Sequence, residues 1–262
     1  MARRMAGLLL GAIVVGGGGA AAQGVPTGFL DRTVTVDGAQ HRYQVYVPRD
    51  YTASQDWPVI LFLHGAGERG DDGLIQTQVG LPAAVRFNVM RWPAIMVMPQ
   101  VAEDATWVGT FGDVALVALD ATESEYSTDV DRVYLTGLSM GGAGAWYVGS
   151  RNAERFAALV AVCGYVTGTA RYPGPFVDSE EPFSELAETV AGLPTWIFHG
   201  GADQVVPVAE SQGIAAALEA IGADVTYTEF EGVTHNSWDA AYSTDDLAPW
   251  LFSQKRERSR QD

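Results

Sequence analysis

Five stretches of this chain are apolar at nearly every position: Val59–Leu63, Ala94–Met98, Arg132–Thr136 after its first residue, Phe156–Val162 and Thr195–Phe198. Short runs without alternation are the pattern of parallel strands covered on both faces. An earlier region behaves differently. Thr33-Val34-Thr35-Val36 and His41 to Val47 alternate, with Asp37-Gly38 between them, which predicts an antiparallel hairpin at a sheet edge. His41 falls on this edge and reads as a surface residue. Val225–Phe230 is the last predicted strand. Between the strands lie helical patterns: a loose one over Leu74–Asn88 interrupted around Gly80 and Pro82, then Val114–Tyr126, Ser184–Val190, an alanine-rich stretch over Ala209–Ile221 ended by Gly222, and a terminal helix over Ala240–Phe252. Strands alternating with helices predict an α/β protein with a mostly parallel central sheet flanked by helices on both faces.

At 262 residues the chain suits one α/β domain with a large core. Its net charge of −16, with Lys255 the only lysine, excludes a basic face for nucleic acid. Arg3-Arg4, an apolar segment from Ala6 to Val15 and Ala20-Ala21-Ala22 form the pattern of a secretory signal peptide cleaved after Ala22. The apolar segment is shorter than the ~20 residues of a membrane span, so no stable membrane anchor is expected. The expectation is a leader over residues 1–22, a catalytic domain over 23–262, and a secreted or periplasmic location. Cys163 is the only cysteine, which excludes an intrachain disulfide, and its apolar setting reads as a small buried hydrophobe. No Cys/His cluster has zinc-ligand spacing and no G-x-G-x-x-G follows a strand, so neither a metal nor another cofactor is expected.

Chemistry is carried by four strand ends. Gly137-Leu138-Ser139-Met140-Gly141-Gly142 follows an apolar β-branched run and precedes a helical one. This is G-x-S-x-G at a strand-to-helix bend, where small neighbours make room for a strained turn that exposes Ser Oγ. Val59–Leu63 ends in His64-Gly65-Ala66-Gly67, a loop able to offer a backbone N–H to an oxyanion beside that of the residue after the serine. Ala66 and Met140 are the candidate donors, with His64 packing and orienting the loop. The polar run Glu68–Gly73 at the same end is either the rim of the site or a solvated turn. Thr195–Gly201 leads to Asp203 on the loop after a strand, the place of a triad acid, although a capping role for Asp203 and a packed role for His199 are also read there. His235 follows the last strand and precedes the last helix. The order Ser139, Asp203, His235 is nucleophile, acid, base. Trp107, leaving the end of a central strand, lines either a substrate pocket or the core; Trp107 and Trp238 are the candidate substrate-binding residues.

Together the segments Leu61–Gly73, Val133–Gly142, Cys163-Gly164, Phe198–Pro207 and Gly232–Trp238 resemble a bacterial branch of the α/β-hydrolase superfamily, whose members are described as peptidase-, carboxylesterase-, polyester-depolymerase- and feruloyl-esterase-like. The resemblance runs from about Leu30 to Phe252 and implies a single-domain serine esterase. Its substrate would be a small-molecule or polymer-borne carboxylic ester, cleaved through an acyl-enzyme on Ser139. The alternatives are a serine peptidase of prolyl-oligopeptidase type, which lacks support because no gating domain is evident, and an acyltransferase on the same fold.

Overall fold

The computed structural model of the protein describes residues 25–168 and 173–256; the expected leader lies outside them. In chain order the strands and helices are β1 (Gly28–Val36), β2 (Ala39–Val47), β3 (Trp57–Leu63), α1 (Leu81–Phe87), β4 (Ile95–Pro99), α2 (Thr110–Glu125), β5 (Thr128–Leu138), α3 (Met140–Arg151), β6 (Ala158–Val162), α4 (Pro182–Val190), β7 (Thr195–Gly200), α5 (Ala209–Ala220), β8 (Val225–Phe230), α6 (Trp238–Ser243) and α7 (Leu247–Ser253). The strands form one sheet of eight in the order β1-β2-β4-β3-β5-β6-β7-β8. Only the β1–β2 hairpin is antiparallel to its neighbours; β4 through β8 and β3 run parallel. Positive φ at both Asp37 (51°) and Gly38 (79°) gives the hairpin a tight turn whose twist matches that of the strands.

The continuous apolar runs are explained by a core on each face. Val59, Leu61, Leu63, Val133, Leu135, Leu159 and Ile197 pack with buried residues of α2, α3, α4 and α5. Ile60, Phe62, Tyr134, Val160, Val162 and Phe198 pack with α1, α6 and α7 on the opposite face. Successive residues of one strand thus enter different cores, which requires apolar side chains at every position.

Two helices differ from the expectation. The stretch Leu74–Asn88 is a 3-10 turn at Ile75–Thr77 followed, after Gly80 at φ 69°, by α1. Pro82 lies in the first turn of α1, where its missing N–H costs no hydrogen bond. The expected terminal helix over Ala240–Phe252 is two helices, α6 and α7, separated at Thr244–Asp246. A continuous helix would set the Pro249 ring against the carbonyl of Asp245. Broken after Ser243, the chain instead places Pro249 in the first turn of α7. Among the described residues no helix is long and apolar enough to cross a membrane.

Leu135, fully buried on the central strand β5, faces the core between the sheet and α2–α5. Leu135→Ala is expected to lower the unfolding free energy by about 2–5 kcal/mol, read from the urea midpoint.

Candidate active site

The C-terminal ends of β3, β5, β6, β7 and β8 lie side by side, and sheet-like hydrogen bonds continue past the strands to fix the loops that leave them. Ser139 N–H donates to the Val162 carbonyl at 2.8 Å and Cys163 N–H to that of Phe198 at 2.8 Å. Gly201 N–H donates to Phe230 O at 2.9 Å, Ala202 N–H to Val233 O at 2.9 Å, and Asp203 N–H to Gly200 O at 3.1 Å. The main chain alone therefore sets where Ser139 and Asp203 start.

Ser139 occupies φ 52°, ψ −116°, a conformation L-residues avoid, between the end of β5 and the start of α3. The surrounding glycines make it attainable. A Cβ on Gly137 would run into the carbonyl of Gly141, one on Gly141 into that of Leu63, and one on Gly142 into Gly164 Cα. The helix thus begins in direct main-chain contact with β3 and β6, as the G-x-S-x-G pattern requires.

Side chains from three loops meet at this bend. Ser139 Oγ lies 3.0 Å from His235 Nε2, and His235 Nδ1–H donates to Asp203 Oδ2 at 2.7 Å. A carboxylate only accepts, so the proton on Nδ1 leaves Nε2 free to accept from the serine hydroxyl. The Asp203 side chain is fully buried while His235 keeps one-fifth of its surface. Asp203 Oδ1 accepts from the N–H groups of Val205 at 2.7 Å and Val206 at 3.0 Å, so the residue also caps its own turn. The cap that the sequence also offered, on a helix starting near Val208, is not made: α5 has Val208 at its N-cap and no side-chain cap hydrogen bond.

His199, read as a packed strand-end residue, is fully buried and touches the same carboxylate: its Nε2 lies 3.2 Å from Asp203 Oδ2 and 3.1 Å from Val206 O. The carbonyl can only accept, so Nε2 carries the proton and Nδ1 accepts from Ser211 Oγ at 2.7 Å. Burial lowers its pKa and keeps it neutral. Its contact with the acid was not legible in sequence, although the four-residue spacing to Asp203 was visible. His64 is neutral for the same reason, its pKa pushed down to about 4 by burial. It donates from Nδ1 to Gly65 O at 2.6 Å and accepts Val101 N–H on Nε2 at 3.0 Å, tying the His64–Gly67 loop to the chain after β4.

Ala66 begins a 3-10 turn (Ala66–Glu68) and Met140 begins α3. First-turn N–H groups have no carbonyl behind them within the helix, so neither is committed to a bond inside its own helix. The site opens into a mostly apolar cavity of about 260 Å³ lined by Gly65–Glu68, Leu138, Ser139, Met140, Tyr165, Val205, Val206, His235 and Trp238. Trp238 is thus at the cavity, with its ring edge-on to His235 at 5.5 Å. Trp107 is not. It is 1% exposed, and its Nε1–H donates to the His64 carbonyl at 2.9 Å, so it braces the oxyanion-side loop from behind. The pocket role expected for it is corrected to a core role: its N–H finds a carbonyl inside, and Gly144 of α3 leaves it room.

The polar run Glu68–Gly73 divides between its two readings. Glu68 lines the cavity, with its carboxyl pKa raised by burial. Beyond it the loop is a pinned turn: Gly73 N–H donates to Gln100 Oε1 at 2.7 Å, Gln44 Nε2 to Gly73 O at 2.7 Å, and Asp72 Oδ1 accepts from Leu74 at 2.8 Å. Tyr165 was not singled out in the sequence but directly follows Cys163-Gly164, whereas Val205 and Val206 lie inside the segment Phe198–Pro207 without a role having been read for them. Cys163 is buried as expected but at φ 39°. Its sulfur, an Asp203 oxygen and a His235 nitrogen lie within 4.8 Å of one another, the one such group of three among the described residues. Burial holds the thiol up at about 12, which disfavours the thiolate a metal would need.

The model of the dienelactone hydrolase family matches residues 86–245, more than half of the chain and a span that holds Ser139, Asp203 and His235. The chain belongs to the dienelactone hydrolase family. This places it in the α/β-hydrolase superfamily, as its motifs implied. Among solved structures, this family member is 30% identical to a thermostable esterase, with a TM-score of 0.73 over 87% of this chain and 63% of that one. A ferulic acid esterase from Anaeromyces mucronatus, solved with ferulic acid, shares the fold at 17% identity and a TM-score of 0.64, covering 88% of this chain and 91% of that one. An uncharacterized secreted protein of Arthroderma benhamiae is 27% identical over 214 residues, 72% of this chain but only 22% of that protein.

The two neutral histidines generate a prediction about acid stability. An unfolded histidine takes a proton near pH 6.5, whereas His64 in the fold stays neutral down to about 4. Between those values unfolding takes up protons, so stability is present above pH 6.5 and is lost as pH falls toward 4. The urea midpoint is expected to fall over this window. His64→Gln, though less stable at pH 7, is expected to show a shallower fall; parallel curves would refute the burial argument.

Proposed function

We propose that this protein is a secreted serine esterase, hydrolysing carboxylic esters with Ser139 as nucleophile, His235 as base and Asp203 as the acid that orients it. The observation that carries the reading is the unbroken line from Ser139 Oγ through His235 to the buried Asp203 carboxylate, at 3.0 and 2.7 Å, on the floor of an apolar cavity. Secretion is supported by the leader pattern of residues 1–22 and by a relative described as secreted. Residues 23–262 are read as one catalytic domain.

The chemistry follows from the atoms in place. Ser139 Oγ attacks the ester carbonyl while His235 Nε2 takes its proton, and Asp203 stabilises the imidazolium. The carbonyl oxygen becomes an oxyanion between the N–H groups of Ala66 and Met140, each such donor contributing ~3 kcal/mol to transition-state stabilisation. Collapse breaks the bond to the alcohol, which leaves with the proton from His235. Water repeats the sequence on the acyl-serine and releases the acid. His199 is a positioning residue: its N–H holds the Asp203 oxygen that orients His235.

The direct test is turnover of p-nitrophenyl acetate and butyrate, methyl ferulate and a peptide p-nitroanilide by the mature protein. Ester turnover is expected, reduced at least about 10³-fold in Ser139→Ala. Cleavage of the anilide alone would favour a peptidase, and dominant ester exchange with an added alcohol would favour an acyltransferase. His199→Phe is expected to lower kcat about 10-fold with little change in KM, and His199→Gln, which keeps an N–H, to recover part of the loss. Equal losses in both variants would show that His199 only fills space.

A further inference from the structure

We propose that the concavity between α1 and α6 is a second subsite that binds the alcohol half of the substrate, and that it selects aryl over alkyl alcohols. The proposal rests on the esterase reading of Ser139, His235 and Asp203 and extends it to the leaving group.

The argument starts from the proton. When the tetrahedral intermediate collapses, the ester C–O bond breaks and the departing oxygen takes the proton held on His235 Nε2, so the alcohol half must lie beside the imidazole. Trp238 stands against that ring, edge-on at 5.5 Å and 89°. Its indole is a wall shared by two cavities: the one over Ser139, of about 260 Å³, and a neighbouring one of about 410 Å³. A group too large for the first cavity and leaving past His235 meets the second on the other side of Trp238.

The lining of that second cavity indicates what would fill it. Phe87, Trp92, Trp238 and Tyr242 supply aromatic surfaces, and Ala84 leaves the α1 side open. Phe87 is 95% exposed at the lip, a large apolar cost for a residue that contacts nothing in the fold's core. Arg91 is committed to the fold, donating to the Thr244 carbonyl and facing Asp245 at 3.6 Å. A flat apolar ring would stack on the aromatic walls.

The test holds the acyl group at acetyl and varies the alcohol, comparing 4-methylumbelliferyl, 2-naphthyl and ethyl acetates. Differences in intrinsic reactivity cancel in the ratio of wild type to variant. Ala84→Phe, which fills the cavity, is expected to lower kcat/KM for the umbelliferyl ester relative to ethyl acetate about 10-fold. Phe87→Ala changes an exposed side chain and so keeps the test independent of folding; it is expected to lower the same ratio about threefold. The naphthyl ester is expected to follow the umbelliferyl one in both variants. Unchanged ratios in Ala84→Phe and Phe87→Ala would overturn the subsite. So would a response confined to a series in which the alcohol is fixed and the acyl chain lengthened, because the cavity would then take the acyl half. If turnover survived in Ser139→Ala, the esterase reading would fail instead, which keeps the two failures apart.

Discussion

The site depends on main chain packed against main chain with no room for a side chain between. Gly137, Gly141 and Gly142 bring the first turn of α3 against the ends of β3 and β6, and a Cβ at any of them would collide with backbone. That contact holds Ser139 in a conformation the residue would not choose. It also places the free N–H groups at the start of α3 beside the His64–Gly67 loop. Loss of it would disturb the proposed nucleophile and the proposed oxyanion donors together, because both are set by the same approach of helix to sheet. Gly200 repeats the device on the far side, where a Cβ would meet the carbonyls of Val233 and Thr234 in the His235 loop.

Within that frame the electrostatic problem is a fully buried carboxylate. A bare carboxylate in such a place would be strongly destabilised and would tend to neutralise. Asp203 is surrounded by four donors instead: two backbone N–H groups on Oδ1, and His235 and His199 on Oδ2. Only one of the two histidines keeps contact with solvent and with Ser139. The other is sealed between Ser211 and Val206, where burial holds it neutral. A neutral donor steadies the carboxylate without competing for its charge, leaving the full negative charge to favour the imidazolium proposed to form on His235. The chain's excess of acids lies elsewhere, on the surface.

Sequence and structure agree where a local rule and a tertiary requirement coincide. The parallel strands were legible because two cores demand apolar residues on both faces, and the elbow because close packing demands glycine. Chain order was enough to nominate Ser139, Asp203 and His235, which the structure brings within hydrogen-bond distance. What escaped was set by three-dimensional neighbours. Trp107 leaves the right strand end for a pocket residue, but its indole N–H is claimed by the His64 carbonyl on the inner side. His199 looked like any strand-end histidine, since the turn that brings Asp203 back onto it is closed by the Asp203 carboxylate accepting from the N–H groups of Val205 and Val206. The break between α6 and α7 was legible in principle: Pro249 forbids a helix running through Asp245, a local rule that the apolar periodicity of the segment concealed.

That break has a consequence for the site. α6 is a short helix held between the His235 loop and the Thr244–Asp246 link, and its first residue is Trp238. The link is anchored by the Arg91 guanidinium to the Thr244 carbonyl, so the turn before β4 and the segment after the proposed base are tied together. Ser237 is fully buried just before α6, and Tyr242 donates or accepts with Thr136 of β5 at 2.9 Å, fixing the helix to the strand that ends in Ser139. The wall formed by Trp238 is therefore not a loop residue free to swing. Its helix is tied to β5, the strand that leads to the proposed nucleophile, and it follows the loop of the proposed base. Any selection it exerts between the two cavities is then set by the same contacts that position those two residues.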